Sequence, residues 1–354
     1  MSSNRSGFGA RAAALLGRAL AAALPALLLG LPIRGAEAVP RPPGLVDLHV
    51  DLPYQYGYKQ ASFEHGSGQF AARDLKRAGV IGVVLPLFIP ARVSPEGPRL
   101  QDLQSSYQRV VSAIAVTPPF APPGCEAPAG SVRTWLAFEG AGPLADRPGE
   151  LASWVERGVR SVGLVHTRRN ALASSSGDPG PVTEGLSDAG RELVRRAQAL
   201  GVAVDVSHAS DLALRDILEL AKATRVPVIA THSDARALVN EARNLDDESL
   251  RAIASTGGVI GVNFHSKFLA RGRRAKIADV VRHVQHLVRI AGVDHVAIGS
   301  DFEGDISPPE DLPNVRALPR LSRALSAAGL SDAAIERIFG LNALRVLCGA
   351  KSPG

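Results

Sequence analysis

"VAVDVSH", residues 202–208, and "VPVIATH", residues 226–232, are two short β-branched runs that each end in a histidine. Between them, "DLALRDILELAKATR", residues 211–225, has the apolar spacing of a helix. Strand, helix and strand in this order form a parallel βαβ unit. The same rhythm runs outward in both directions. Strand candidates are residues 45–51, 81–87, 134–139, 161–166, 202–207, 226–231, 259–264 and 296–300, with helix-like segments between them. Several of those segments open with Asp or Ser and close on Gly, as helix caps do. Eight such units predict an α/β fold, a (β/α)8 TIM-type barrel.

In such a barrel every strand delivers its C-terminal end to one face, where active sites sit. The polar residues fall at those ends. The first strand runs into "HVD", with His49 and Asp51 spaced to share a side. The third ends at Glu139, the fourth at His166, the fifth at His208, the sixth at His232 and the eighth at Asp301. So many ionisable groups cannot be buried together unpaired, and neutral imidazole is a poor cation for salt bridges. Divalent metal ions resolve the conflict, because imidazole and carboxylate suit zinc and two ions can share one carboxylate. Taken singly, each has a simpler reading: a hydrogen-bonded histidine, or an aspartate capping a turn. Asp47 and Asp205 read as structural hydrogen-bonding residues. His283 and His286, on one helix, read as surface residues, and His265 after the seventh strand is a secondary site candidate.

The two ends of the chain differ from this pattern. Arg5, Arg11 and Arg18 precede or interrupt the apolar "ALAAALPALLLGLPI", residues 19–33, and Ala36-Glu37-Ala38 has the form of a signal-peptidase site. Residues 1–38 therefore read as a secretory signal peptide, leaving 39–354 as a single domain. The apolar run is short of the roughly 20 residues a spanning helix needs. The alternative is retention as an N-terminal anchor, the one expected membrane contact. The expected location is exported, periplasmic or secreted. Loss of residues 1–38 removes four arginines and one glutamate, which lowers the formal charge from +6 to +3. The basic run Lys267, Arg271, Arg273, Arg274 and Lys276 lacks interleaved aromatics, so no nucleic-acid partner is expected. Composition is that of an ordinary globular chain, 45% hydrophobic and 21% charged. Cys125 and Cys348 form no metal motif; an exported chain could join them, but spacing alone does not show that they meet. "TPPFAPPGCEAPAGS", residues 117–131, and residues 167–187 read as loops.

From about residue 44 to about residue 347 the chain resembles the membrane dipeptidase (renal dipeptidase) family of zinc peptidases, within the amidohydrolase-like metal barrels. The resemblance rests on "DLHVDLP", "GQFAARDLKRAGV", the "FEG" at 138–140, "GLVHT", "GLSDAG", "VDVSHAS", "ATHSDARALVNEARNLDDE", "IGSDFEG" and "GLNALRVL", all present in order. Val50 departs from it, standing where the family usually has Asn. The stretch between the first motif and Glu139 also looks shorter than in mammalian relatives. The resemblance implies that His49 and Asp51 hold one zinc with Glu139, and that Glu139 bridges to a second zinc held by His208 and His232. It implies that Asp301 approaches the first zinc and a bridging water or hydroxide, that His166 faces the substrate carbonyl, and that Arg243 meets the terminal carboxylate of a dipeptide. Zinc brings the pKa of bound water to about 7, which suits hydroxide attack on a peptide bond. Asp301 would pass the proton to the leaving amine and His166 would support the oxyanion. For Arg243 the residues alone leave a structural ion pair with Glu241, Asp246 or Asp247 open.

The expected activity is thus a zinc-dependent dipeptidase with two ions, with a D-residue at the substrate's C-terminal side and a homodimer left open. The alternatives are another binuclear amidohydrolase, acting on N-acyl amino acids or lactones, and an exported zinc-containing binding protein without turnover.

Overall fold

Among the described residues nine strands, all paired in parallel, form the sheet: β1 Leu45–Asp47, β2 Val80–Leu87, β3 Phe120–Pro123, β4 Val132–Glu139, β5 Val159–Gly163, β6 Ala203–Asp205, β7 Val228–Ile229, β8 Ile260–Val262 and β9 Val296–Ile298. The computed structural model describes residues 44–94 and 96–349, so the leader expected over residues 1–38 lies outside the described residues. The neighbour order β7-β6-β5-β4-β2-β1-β9-β8 follows the chain around a ring. The ring closes where Ala230 bridges Ile260: Ala230 N donates to Val259 O at 3.0 Å and Gly261 N to Ala230 O at 2.8 Å. This is the eight-stranded α/β barrel that the sequence predicts, with every predicted strand present and most of them shorter.

β3 corrects the reading of residues 117–131 as loop throughout. The C-terminal half of β4 pairs with β5 from Leu136 to Glu139, which leaves its first residues open on that side. β3 fills this place, aligning Phe120 with Val132 and Pro123 with Thr134. Proline is tolerated there because β3 lies at an edge, where a missing N–H costs no ladder bond. Cys125, just beyond β3, forms a disulfide with Cys348 in the last helix, Asn342–Cys348.

The strands form as they do because both faces are covered. Val46, Val84, Trp135, Ile229 and Ala297 fill the barrel interior, joined by Ala343 and Leu347 of the last helix. Leu193, Leu214, Leu250 and Leu287 of the surrounding helices belong to the outer layer of core. Doubly covered strands read as continuous apolar runs, which is the pattern of the sequence. Helix caps of the expected Ser and Asp type are in place, with Ser210 rather than Asp211 capping the helix after β6: Ser187, Ser210 and Asp246 accept from the backbone N of Gly190, Ala213 and Ser249 at 3.0, 3.1 and 2.8 Å. Among the described residues no helix is long and apolar enough to cross a membrane.

Candidate metal centre

His49 and Asp51 were expected on a strand, but β1 stops at Asp47. Asp47 ends it, since one carboxylate oxygen takes the backbone N–H of both His49 (3.2 Å) and Ser300 (2.9 Å), groups a strand would send to a neighbouring carbonyl. Pairing then continues between the two emerging loops. Asp301 N donates to His49 O at 3.0 Å and Asp51 N to Phe302 O at 2.9 Å. This zipper sets Asp51 beside Asp301. The Asp301 backbone has φ +62°, a left-handed conformation that Asp tolerates better than most residues. Glu303, also left-handed, anchors the turn: its buried carboxylate accepts from the backbone N of Ser67 at 2.5 Å and of Phe70 at 2.6 Å. Gly304 is required by close approach, because a Cβ there would come within 2.7 Å of both Asp51 and Asp301 carboxylate oxygens.

Glu139, at the end of β4, is the hub. Its Oε1 lies 3.0 Å from His208 Nε2, 3.3 Å from His49 Nε2, 3.6 Å from His232 Nε2 and 3.8 Å from His166 Nε2. His49 Nε2 is also 3.5 Å from Asp51 Oδ2, and the Nε2 atoms of His208 and His232 are 3.0 Å apart. Three groups of possible metal ligands result, His49–Glu139–His232, Glu139–His166–His208 and His49–Asp51–Asp301, each with its ligand atoms within 4.8 Å of one another. Six of the expected residues thus converge, and His166 stands at the rim with more exposure. Arg243, the eighth, lies against them. Its guanidinium donates to the backbone oxygens of Ser207 and His232, and Nη2 is 3.5 Å from His208 Nε2. It pairs with none of its acidic neighbours in sequence: Glu241 meets Lys267, Asp246 meets Arg236 and Asp247 meets His286.

The electrostatics are those of a site built for added positive charge. Burial pushes the Asp301 carboxyl up to about 7, with the Asp51 charge adding to it, and burial with the Glu139 charge raises Asp51. Burial also opposes charge on His49, but the carboxylates of Glu139 and Asp51 outweigh it and hold the imidazole well above its usual value. Glu139 is held well below the carboxylate range: the imidazoles of His49 and His166 overcome its burial. Burial lowers His208, His232 and His166, with Arg243 adding to the effect on His208 and His49 adding to it on His232. His49 Nε2 is buried and makes no hydrogen bond among the described residues. Imidazole nitrogens and carboxylates aimed at common points, with a buried nitrogen left over, fit divalent metal ions of the zinc type.

The family model of the membrane dipeptidases, peptidase family M19, matches residues 33–352. The chain belongs to this family. A metallo peptidase from Rhodobacter sphaeroides, solved with a phosphinate mimic of the dipeptide L-Ala-D-Ala, superposes with a TM-score of 0.76 at 25% identity, covering 86% of this chain and 99% of that one. The crystal structure of dipeptidase AC, a metallo peptidase, superposes with a TM-score of 0.75 at 26% identity, covering 87% of this chain and 99% of that one. Dipeptidase tcpJ of Claviceps purpurea is 34% identical over 219 residues, 62% of this chain. The matched part spans about half the length of that relative, 51%. The enzyme class read from the sequence, a metal-dependent dipeptidase-type barrel, is that of its family.

In this member of the membrane dipeptidase family, the converging groups open into a cavity of about 440 Å³. Its walls are mixed. Tyr54, Phe88, Pro90, Phe268 and Ile306 supply apolar surface, and Asp51, Glu139, His166, Arg243 and Asp301 supply polar and charged groups. His265, the secondary candidate, also lines it. A larger cleft of about 540 Å³ near Ser176, Asp211 and Arg236 lies apart from the metal-type groups, and Asp211 and Arg236 already neutralise each other at 2.7 Å.

Reading by strand ends missed Asn263. It follows β8 at the same face, and its amide donates to Asp301 Oδ2 at 2.9 Å. Its position in "VNFH", at the end of a strand, is the signal in the sequence, but an uncharged amide does not stand out among ionisable groups. Asp47 and Asp205 both make the hydrogen bonds expected of them, Asp47 with the backbone N of His49 and Ser300 and Asp205 with that of Ser207 and Thr231. His283 and His286 are not surface residues: they are 0% and 5% exposed. Their helix, Ile277–Ala291, packs against the helices Asp247–Ser255 and Leu318–Ala327 as well as β8 and β9, so most of its circumference is covered.

Proposed function

We propose that the protein hydrolyses dipeptides with two zinc ions, one held by His49, Asp51 and Glu139 and the other by Glu139, His208 and His232. The observation that carries this reading is the meeting of four imidazole nitrogens within 3.8 Å of one Glu139 oxygen, with the half-buried Arg243 beside them. Bound there, the ions would bring the pKa of a shared water near 7 and polarise the scissile carbonyl.

The chain's own groups do the rest. Asp301, raised toward neutrality, takes a proton and returns it to the departing amine. Asn263 holds Asp301 in place through its Oδ2. His166, at the rim and 3.8 Å from Glu139, faces the carbonyl of a bound substrate and donates to the developing oxyanion. Arg243 accepts the free carboxylate at the far end of the substrate, since guanidinium binds carboxylate through paired hydrogen bonds. At a fixed distance from Glu139 it measures one residue beyond the cleaved bond, which favours dipeptides over longer chains. The relative that binds an L-Ala-D-Ala mimic supports a D-residue as acceptable at that position. Residues 1–38 serve as an export signal, and residues 39–354 form the catalytic domain.

The test is amine release by metal-depleted protein reloaded with zinc, on L,L- and L,D-dipeptides, a tripeptide and N-acyl amino acids. Zinc-restored cleavage confined to dipeptides is expected. Cleavage of the N-acyl compounds instead would move the substrate class, and no turnover with two ions bound would reject hydrolysis.

A further inference from the structure

A single hydroxyl sits behind two of the histidines. Thr231 Oγ1 lies 2.6 Å from Asp205 Oδ2, 2.8 Å from His232 Nδ1 and 3.3 Å from His49 Nδ1. Ser207 Oγ, at 3.2 Å, is the remaining neighbour. A hydroxyl has one proton to donate and two lone pairs to accept with. The proton goes where the bond is shortest and the acceptor carries charge, which is Asp205. Ser207 does not compete for it. Its own hydroxyl donates to Asp205 Oδ1 at 2.7 Å and accepts from His232 N at 3.1 Å. Asp205 is held rigidly by the backbone N–H of Ser207 and of Thr231, both at 3.0 Å. Thr231 therefore has only lone pairs left for the two imidazoles. Each Nδ1 must carry a hydrogen, which leaves Nε2, on the side of Glu139, as the nitrogen whose lone pair a metal ion can take.

The position is fixed by the barrel itself. Thr231 is fully buried, and the backbone of β9's exit presses on it: a Cβ at Gly299 would lie 1.7 Å from Thr231 O. His49 comes from the β1 end and His232 from the β7 end, so this one oxygen joins strands that are not neighbours in the ring.

We infer that Thr231, its proton committed to Asp205, fixes the tautomer of His49 and His232 together and so presents one nitrogen lone pair to each of the two metal positions. Thr231 and Asp205 are positioning residues here, and the inference rests on the metal-centre reading above. It predicts that the two ions depend on one hydroxyl that touches neither. Outer partners of metal-binding histidines are worth about 10–100-fold in metal affinity each.

The experiment is zinc binding by chelator competition on the full protein, wild type against Thr231→Val, Thr231→Ser and Asp205→Asn. Thr231→Val keeps the shape and removes the oxygen, so both zinc affinities should fall by about 10-fold or more. Thr231→Ser restores the oxygen and should stay within about 3-fold of wild type. Asp205→Asn is nearly isosteric, but its amide can donate to Thr231, turning the hydroxyl proton toward an Nδ1 and forcing that ring into the wrong tautomer; at least one zinc should weaken by about 10-fold. Equal affinity in Thr231→Val and wild type would overturn the inference, as would an Asp205→Asn variant with both sites intact.

A second readout does not depend on metal. In protein carrying 15N-histidine, the nitrogen shifts of His49 and His232 report which atom is protonated. A proton on Nδ1 and none on Nε2 in the neutral His232 ring supports the inference, and a bare Nδ1 in either ring overturns it, even if a variant fails to fold. Wild-type protein that binds no zinc would reject the metal centre, leaving the nitrogen shifts to decide the role of Thr231.

Discussion

Two groups of histidines are buried in this barrel, and they do opposite things with the same side chain. At the strand ends, the Nε2 atoms of His49, His208 and His232 turn toward one carboxylate and toward each other. Beneath the helix Ile277–Ala291, His283 and His286 face separate partners. His283 Nδ1 accepts from Ala235 N at 3.1 Å, while His286 sits between Asp247 and Arg289, each at 2.7 Å. Burial is nearly equal in the two groups. What differs is convergence: a site needs several rings to aim the same kind of atom at the same place, whereas His283, whose Nε2 is likewise buried without a hydrogen-bond partner among the described residues, belongs to none of the three ligand groups. Burial and residue type alone would not separate the two groups.

The contrast breaks most sharply at Glu139. Glu139→Gln should lower activity by several orders of magnitude and reduce zinc content with it, measured by turnover and metal analysis. Full activity with both ions retained would remove Glu139 from the hub. Arg243→Ala comes next. It should raise KM for dipeptides by about 10²-fold while metal content holds, because truncating one partner of a buried charge pair costs about 2–5 kcal/mol. An unchanged KM would end its role as a carboxylate anchor.

The second group is tested through stability. Burial lowers His283 to about 4 in the folded protein, against about 6.5 in an unfolded chain. The folded state therefore binds fewer protons below pH 6.5. Its stability should be level above that value, fall as the pH drops toward 4, and level again beneath. His283→Asn, which keeps an acceptor for Ala235 N, should flatten this fall by on the order of 3 kcal/mol in denaturant melts across that window. Identical pH profiles would show that His283 is not held neutral. The smallest effect is expected of His286→Ala, a loss of about 1–2 kcal/mol from its hydrogen bonds with zinc binding untouched. A change in zinc affinity there would blur the division between the two groups.

The sequence made the barrel legible through the alternation of apolar runs and capped helices, and the site legible through what stood at the strand ends. His208 and His232 are the clearest cases, each closing a run whose strand character is plain. Three features resisted that reading. β3 hides in a Pro-rich segment because it exists only to fill the space that a shorter β5 leaves beside β4, a relation of lengths rather than of propensity. His283 and His286 read as exposed because a helix pattern shows one apolar stripe, whereas this helix is covered by two neighbouring helices in addition to the barrel. Asn263 and Thr231 carry no charge, so a search for ionisable residues passes over the groups that orient them.

The disulfide between Cys125 and Cys348 spans 223 positions of sequence. It turns most of the molecule into a covalent ring that contains β4 through β9 and with them Glu139, His208, His232 and Asp301. A ring that long restricts the unfolded chain by about 5 kcal/mol in the loop-entropy treatment. It also changes what a protease can do. One cut in the loop at residues 167–187 would open the ring without parting it, and the two pieces would remain one molecule, each still carrying its share of the ligands.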